Sequence, residues 1–155
     1  MRFPWFELLP ATCMAISSTP AHGQQAREVG IQGVVTTSAP LVGVVGPYGA
    51  LRIAGRTRLS VAAGAGASDS EFAWRAEALG HFLLSPDRRR GWGGYVAGGL
   101  AAVGGPRNRG YIVLTLGAEA RPGRASGWLV EAGIGGGVRI AMGYRWRRFS
   151  AQNRK

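Results

Sequence analysis

Hydrolysis or acyl transfer needs a nucleophile, a base that takes its proton and a third group that orients the base. The chain offers residues of these types in His81, in Glu77 four positions earlier, and in Ser60 on the preceding strand. Alternate side chains of an extended segment share a face, so Glu77 and His81 fall on one side. No motif narrows the set further, and a lone histidine on a polar strand face is more often part of a hydrogen-bonded network. The protein is therefore expected not to be an enzyme. No catalytic, cofactor-binding or metal-binding residue is assigned, and no cofactor is expected.

The 155 residues carry a formal charge of +11, and the only lysine is Lys155, so the positive charge is almost all arginine. Such a balance suits nucleic acid, anionic lipid or acidic polysaccharide. Arginines interleave with aromatics in Y-R-W-R-R-F at 144–149. Interleaving on one strand sends the two types to opposite faces, which is poor for a joint stacking and phosphate site, so nucleic acid is not expected as a partner. The basic turns 88–90 and 121–124 read as solvated loops or contacts to anionic lipid phosphates. Residues 133–137 resemble a phosphate loop only superficially, since Val138 stands where the third glycine would be and no helix follows.

The elements that must hold these side chains show a period of two. In V-R-I-A-M-G-Y-R-W at 138–146, Val138, Ile140, Met142, Tyr144 and Trp146 share one parity while Arg139 and Arg145 take the other. That is a strand with one apolar face. Similar runs predict strands over 29–37, 48–54, 57–65, 71–84, 92–103, 111–120 and 128–134, with 41–46 open between an extended loop and the start of the second strand. A helix competes over 72–83, but it would set Arg75 and Glu77 roughly 200° apart and scatter the polar residues, whereas a strand keeps every charge on one side. Strand 92–103 bears no charge and its facing is open. No apolar run approaches the roughly 18 residues of a spanning helix. Eight strands in hairpin order make an all-β, up-and-down antiparallel meander, and closure into a barrel removes its exposed edges.

Residues 1–23 read as a signal peptide: Arg2, a mostly apolar stretch, then Ala21-His22-Gly23 as a small-x-small cleavage site, although Pro4, Glu7 and Pro10 interrupt the apolar region. Cys13 lies inside this leader without the residues expected before a lipoprotein cysteine. The expected organisation is thus a signal peptide over 1–23 and a barrel domain over 24–155.

One face of the charged strands collects Arg52, Arg58, Arg75, Glu77, His81, Glu119, Glu131, Arg139 and Arg145, and the other carries no ionisable residue before Arg148. A soluble barrel turns its apolar face inward, and a membrane barrel inverts the arrangement. Three features favour inversion. Trp74, Trp128, Tyr144 and Trp146 sit on the apolar face near strand ends, as interfacial aromatics do. The polar face is rich in Gly, Ala and Ser between its charges, as a narrow eight-strand lumen requires. The leader directs export. The expected fold class is an eight-stranded transmembrane β-barrel.

In these respects the chain resembles the small eight-stranded outer-membrane barrels of Gram-negative bacteria, the OmpA-like and OmpX-like type, over about residues 29–149. The segment 144–149 is similar to that family's C-terminal assembly signal, except that residues 150–155 follow the terminal aromatic. The resemblance implies an outer-membrane location, folding by the outer-membrane assembly machinery, and a lumen plugged by an Arg/Glu network. Arg75, Glu77, Glu119, Glu131, Arg139 and Arg145 are the expected members of that lattice. The expected surroundings are outer-membrane lipid and lipopolysaccharide, and a monomer is expected. The alternatives are a soluble periplasmic lipocalin-like barrel binding a small apolar ligand and a lipid-modifying barrel enzyme built on Ser60, Glu77 and His81.

Overall fold

Strict alternation of large apolar with small or charged side chains leaves each segment one stable arrangement, a strand with two unlike faces. A computed structural model of the protein describes residues 26–37, 40–105 and 108–149. The expected leader, 1–23, and the tail 150–155 lie outside the described residues. The strands are β1 (Ala26–Thr36), β2 (Val42–Ala54), β3 (Thr57–Ser68), β4 (Glu71–Leu83), β5 (Trp92–Gly104), β6 (Arg109–Ala120), β7 (Ser126–Ile134) and β8 (Val138–Phe149). Each pairs antiparallel with its sequence neighbours, and β1 pairs with β8, so the sheet closes into an up-and-down barrel.

The strands run further than alternation alone outlines. Residues 42–46, left open in sequence, belong to β2. Pro47 sits mid-strand and keeps its place opposite Ile31 of β1, while Gly46 and Pro47 drop out of the ladder with β3. A proline has no N–H to donate, so that gap falls where the ladder would need one. β1 begins at Ala26 and β8 continues through Phe149, which adds Glu28 and Arg147 to the paired region.

The connections sort to two ends. The terminal end holds Ala26, Phe149 and the turns 55–56, 84–91 and 121–125; the opposite end holds the last residues of β1 and β5, the first of β2 and β6, and the turns 69–70 and 135–137. Asp69 and Ser70 both take positive φ, 46° and 70°, the geometry of a two-residue hairpin whose twist matches its strands.

The interior is mixed. Near the opposite end Val34, Val42, Val44, Ala73 and Ala141 pack together, and Leu79, Leu83, Tyr95 and Val113 form a second apolar group. Between and beyond them lie charged side chains. The outer wall is the reverse: Ile31, Val61, Phe72, Leu100, Ile112, Leu116 and Ile140 are each more than half exposed.

Candidate functional site in the barrel interior

Inward parity brings acidic, basic or histidine side chains from seven of the eight strands into the lumen. All nine residues that the sequence assigns to the polar face are buried, along with Glu28 and Arg147. They form two clusters rather than one lattice.

The cluster nearer the opposite end is charge-balanced. Glu77 Oε1 accepts from Arg75 Nε at 2.5 Å and from Arg139 Nε at 3.0 Å, and Glu77 Oε2 accepts from Arg139 Nη2 at 2.6 Å. Arg139 therefore grips Glu77 with two parallel bonds, the strong form of this pair. Its Nη1 donates to Glu131 Oε2 at 2.7 Å, and Tyr95 Oη donates to Glu131 Oε1 at 2.8 Å. Arg75 also reaches Thr36 Oγ1 at 3.3 Å and the Gly135 carbonyl at 3.2 Å, tying the cluster to the 135–137 turn.

The cluster nearer the terminal end holds Glu28, Glu119, Arg52, Arg58, Arg145 and Arg147. Glu28 accepts from Arg145 Nη1 and Arg147 Nε, each at 3.0 Å, and from Arg58 Nη1 at 3.4 Å. Glu119 accepts from Arg58 Nη1 at 2.9 Å and from Arg145 Nη2. Arg147 Nη1 donates to the Arg124 carbonyl at 3.1 Å and also to that of Pro122, whose ring is fully buried, so the 121–125 turn is held across the mouth. Arg52 stands apart, with one contact to Asp87 at 3.9 Å.

His81 lies beside this second cluster. Its Nδ1 is 3.1 Å from Arg58 Nη2 and its Nε2 is 2.7 Å from Ser60 Oγ. A guanidinium can only donate, so Nδ1 must accept and the ring proton sits on Nε2, pointing at Ser60. Of the three residues considered for hydrolysis, Ser60 and His81 meet, but with the histidine donating; Glu77 is engaged by Arg75 and Arg139 instead. Tyr95 packs against the imidazole at 5.2 Å and beneath the Arg58 guanidinium at 5.0 Å.

Among the lumenal residues that sequence alone does not single out are Arg147, Glu28 and Tyr95. Arg147 has the parity of Arg145, and Glu28 stands two positions before Gly30 on the inward side of β1. Both lie one step outside the alternating runs 29–37 and 138–146. Tyr95 sits on the uncharged strand, and its inward ring lies against Gly117, its register partner on β6, where any Cβ would collide with it.

On the outer wall, Trp128, Tyr144 and Trp146 form an edge-to-face row with centroids 5.1 Å apart near the terminal end, and Phe82 and Trp92 stand at the terminal ends of β4 and β5. Phe72 and Trp74 occupy the opposite end of β4, with the Trp74 indole lying over Gly104. Among the described residues no group of three or more His, Cys, Asp or Glu is placed to hold a metal ion.

No family model matches the chain, and no curated protein matches it. Among solved structures it is similar to the crystal structure of the N-terminal β-barrel domain of OprF from Pseudomonas aeruginosa, with a TM-score of 0.67 at 13% sequence identity, covering 81% of this chain and 99% of that one. At that identity the likeness concerns the fold.

Proposed function

We propose that the protein is a small outer-membrane β-barrel with a structural, non-enzymatic role, its lumen plugged by ion-paired side chains. The observation that carries this reading is the inversion of the barrel: fully buried Arg58, Arg139 and Arg145 inside, and a continuous apolar wall outside. In water such a wall would forgo about 25 cal/mol for every Å² of apolar surface left exposed. In lipid the same wall is matched to its solvent, and ring closure leaves no open sheet edge to face it.

The spacing of the aromatics agrees. Phe72 and Phe82 are ten positions apart on β4, about 33 Å of strand, which a tilt of about 40° reduces to roughly 25 Å along the barrel axis. That is the height of the apolar band of such barrels. The OprF domain supplies a precedent for the architecture at this strand number. A soluble lipocalin-like carrier would need an apolar interior, whereas arginines and glutamates occupy this one. A lipid-modifying enzyme would need His81 to accept a proton from Ser60, whereas His81 Nε2 already carries one and donates it to Ser60.

In this reading outer-membrane lipid and lipopolysaccharide surround the wall, the outer-membrane assembly machinery inserts the chain, and the barrel works as a monomer. The test is membrane fractionation of the expressed full chain with a heat-modifiability gel. Recovery in the outer-membrane fraction with a band that shifts on boiling is expected. Recovery in the soluble periplasm without detergent would overturn the proposal.

A further inference from the structure

The lumen is balanced at one end and not at the other. Arg75 and Arg139 meet Glu77 and Glu131, but at the terminal end Arg52, Arg58, Arg145 and Arg147 share only Glu28 and Glu119. Three of the four divide both carboxylates among them. Arg52 is left over: it is 5% exposed, and its Nε and Nη2 have no hydrogen-bond partner among the described residues. Across the β2–β3 ladder it stands directly opposite Arg58, a like-charge pairing that sheets otherwise avoid.

A guanidinium offers five N–H donors in a rigid fork suited to a carboxylate or a phosphate. The single contact of Arg52 shows which way that fork points, because Asp87 belongs to the terminal-end turn 84–91 and its side chain is 92% exposed. Around this mouth Arg56, Arg88, Arg89, Arg90, Arg121 and Arg124 are all exposed. At the opposite end the exposed ionisable residues among those described are Asp69, Glu71 and Arg109. One mouth is thus strongly cationic and the other is not, and a ring of one sign raises the local concentration of the opposite ion.

The geometry points to a binding site at the terminal-end mouth for a phosphate-type oxyanion, gripped by the free fork of Arg52 and steered in by the arginine ring. Asp87 is a weak internal occupant of the approach, since its carboxylate stands at 3.9 Å in solvent and reaches only Nη1. A doubly charged oxyanion displaces it at Nη1 and, as the guanidinium turns to meet it, takes up the donors now buried without partners. It also screens Arg52 from Arg58. Free phosphate and a phosphate-bearing lipid headgroup share this chemistry. The site depends on the lumen and its mouth and not on insertion in a bilayer, so it stands or falls separately from the membrane role.

The test uses the full chain folded in a neutral maltoside detergent, with inorganic phosphate titrated by calorimetry at low ionic strength. A second arm places the barrel in nanodiscs of phosphatidylcholine with or without phosphatidic acid and measures retained lipid by native mass spectrometry. Saturable phosphate binding weakened at least tenfold in Arg52→Met assigns the site to a free ion. Arg52-dependent retention of phosphatidic acid without phosphate binding assigns it to a headgroup, and either result supports the proposal. Asp87→Asn removes the competing carboxylate and leaves the lumen intact, so it should tighten binding several-fold; it carries the test if Arg52→Met lacks the heat-modifiable band. Binding in neither arm, equal binding by Arg52→Met, or weaker binding by Asp87→Asn overturns the proposal.

Discussion

Replacing Glu28 with glutamine tests whether the lumenal ion pairs hold the barrel together. The side chain is fully buried and accepts from Arg58, Arg145 and Arg147. Glutamine keeps the volume, but it turns one acceptor oxygen into an amide donor facing guanidinium donors, and it leaves four arginines against Glu119 alone. Removing one partner of a buried ion pair costs about 3–5 kcal/mol, because the charge left behind stays buried. At a urea slope of about 2 kcal/mol/M, the midpoint of unfolding should fall by roughly 1.5–2.5 M. Tryptophan emission in lipid vesicles is a suitable readout, since Trp92, Trp128 and Trp146 all stand on the outer wall. Arg52→Met is the control, also buried at this end of the lumen but two positions nearer the mouth, and expected to act in the opposite sense. It removes a cation facing Arg58 and sacrifices only a 3.9 Å contact to an exposed carboxylate, so its midpoint should be unchanged or higher. A Glu28→Gln shift below about 0.3 M, within the usual extrapolation error, would refute the reasoning, as would equal damage from the two variants.

Leu114→Arg places a charge halfway along the outward face of β6. In vesicles it should cost about 2–4 kcal/mol in the same unfolding measurement, whereas a barrel facing water would change by no more than about 0.5 kcal/mol. Gly117→Val drives a branched side chain into the Tyr95 ring and pulls its hydroxyl from Glu131, so a loss of about 1–3 kcal/mol is expected; a variant as stable as the parent would show that the ring can move aside. Nitrogen-15 spectra of histidine-labelled barrel should show the His81 proton on Nε2, and a proton on Nδ1 would reopen the case for Ser60 as a nucleophile.

Why alternation carries the fold so far, and the site less far, follows from what parity does. A strand has two faces, so a single pair such as Arg139 and Arg145 opposite Ile140 and Met142 settles the facing of the whole of β8. Antiparallel pairing hands that facing to the next strand. β5 has no charge to settle it, and its inward residue Tyr95 is recognisable only beside β6, where Gly117 leaves room for the ring. The segment 41–46 stays open in sequence because Pro47 separates it from the strand beginning at Tyr48, and only the paired structure shows a proline that keeps one ladder and loses the other. Glu28 and Arg147 were hidden differently. They are directly opposite each other across β1 and β8, the pair of strands that closes the ring, and Arg147 Nε lies 3.0 Å from Glu28 Oε1. Read along the chain, each is a charge at the frayed end of a strand, 119 residues from its partner. Only closure brings them together, and closure is also what seals them from water. The ion pair and the seam therefore depend on one another: the seam supplies the burial that makes Glu28 indispensable to its arginines, and Glu28 binds arginines on β3 and β8 to the first strand. Breaking that pair should loosen the β1–β8 seam before any of the hairpins, whose partners are adjacent in sequence, and hydrogen exchange in Glu28→Gln should rise first along β1 and β8.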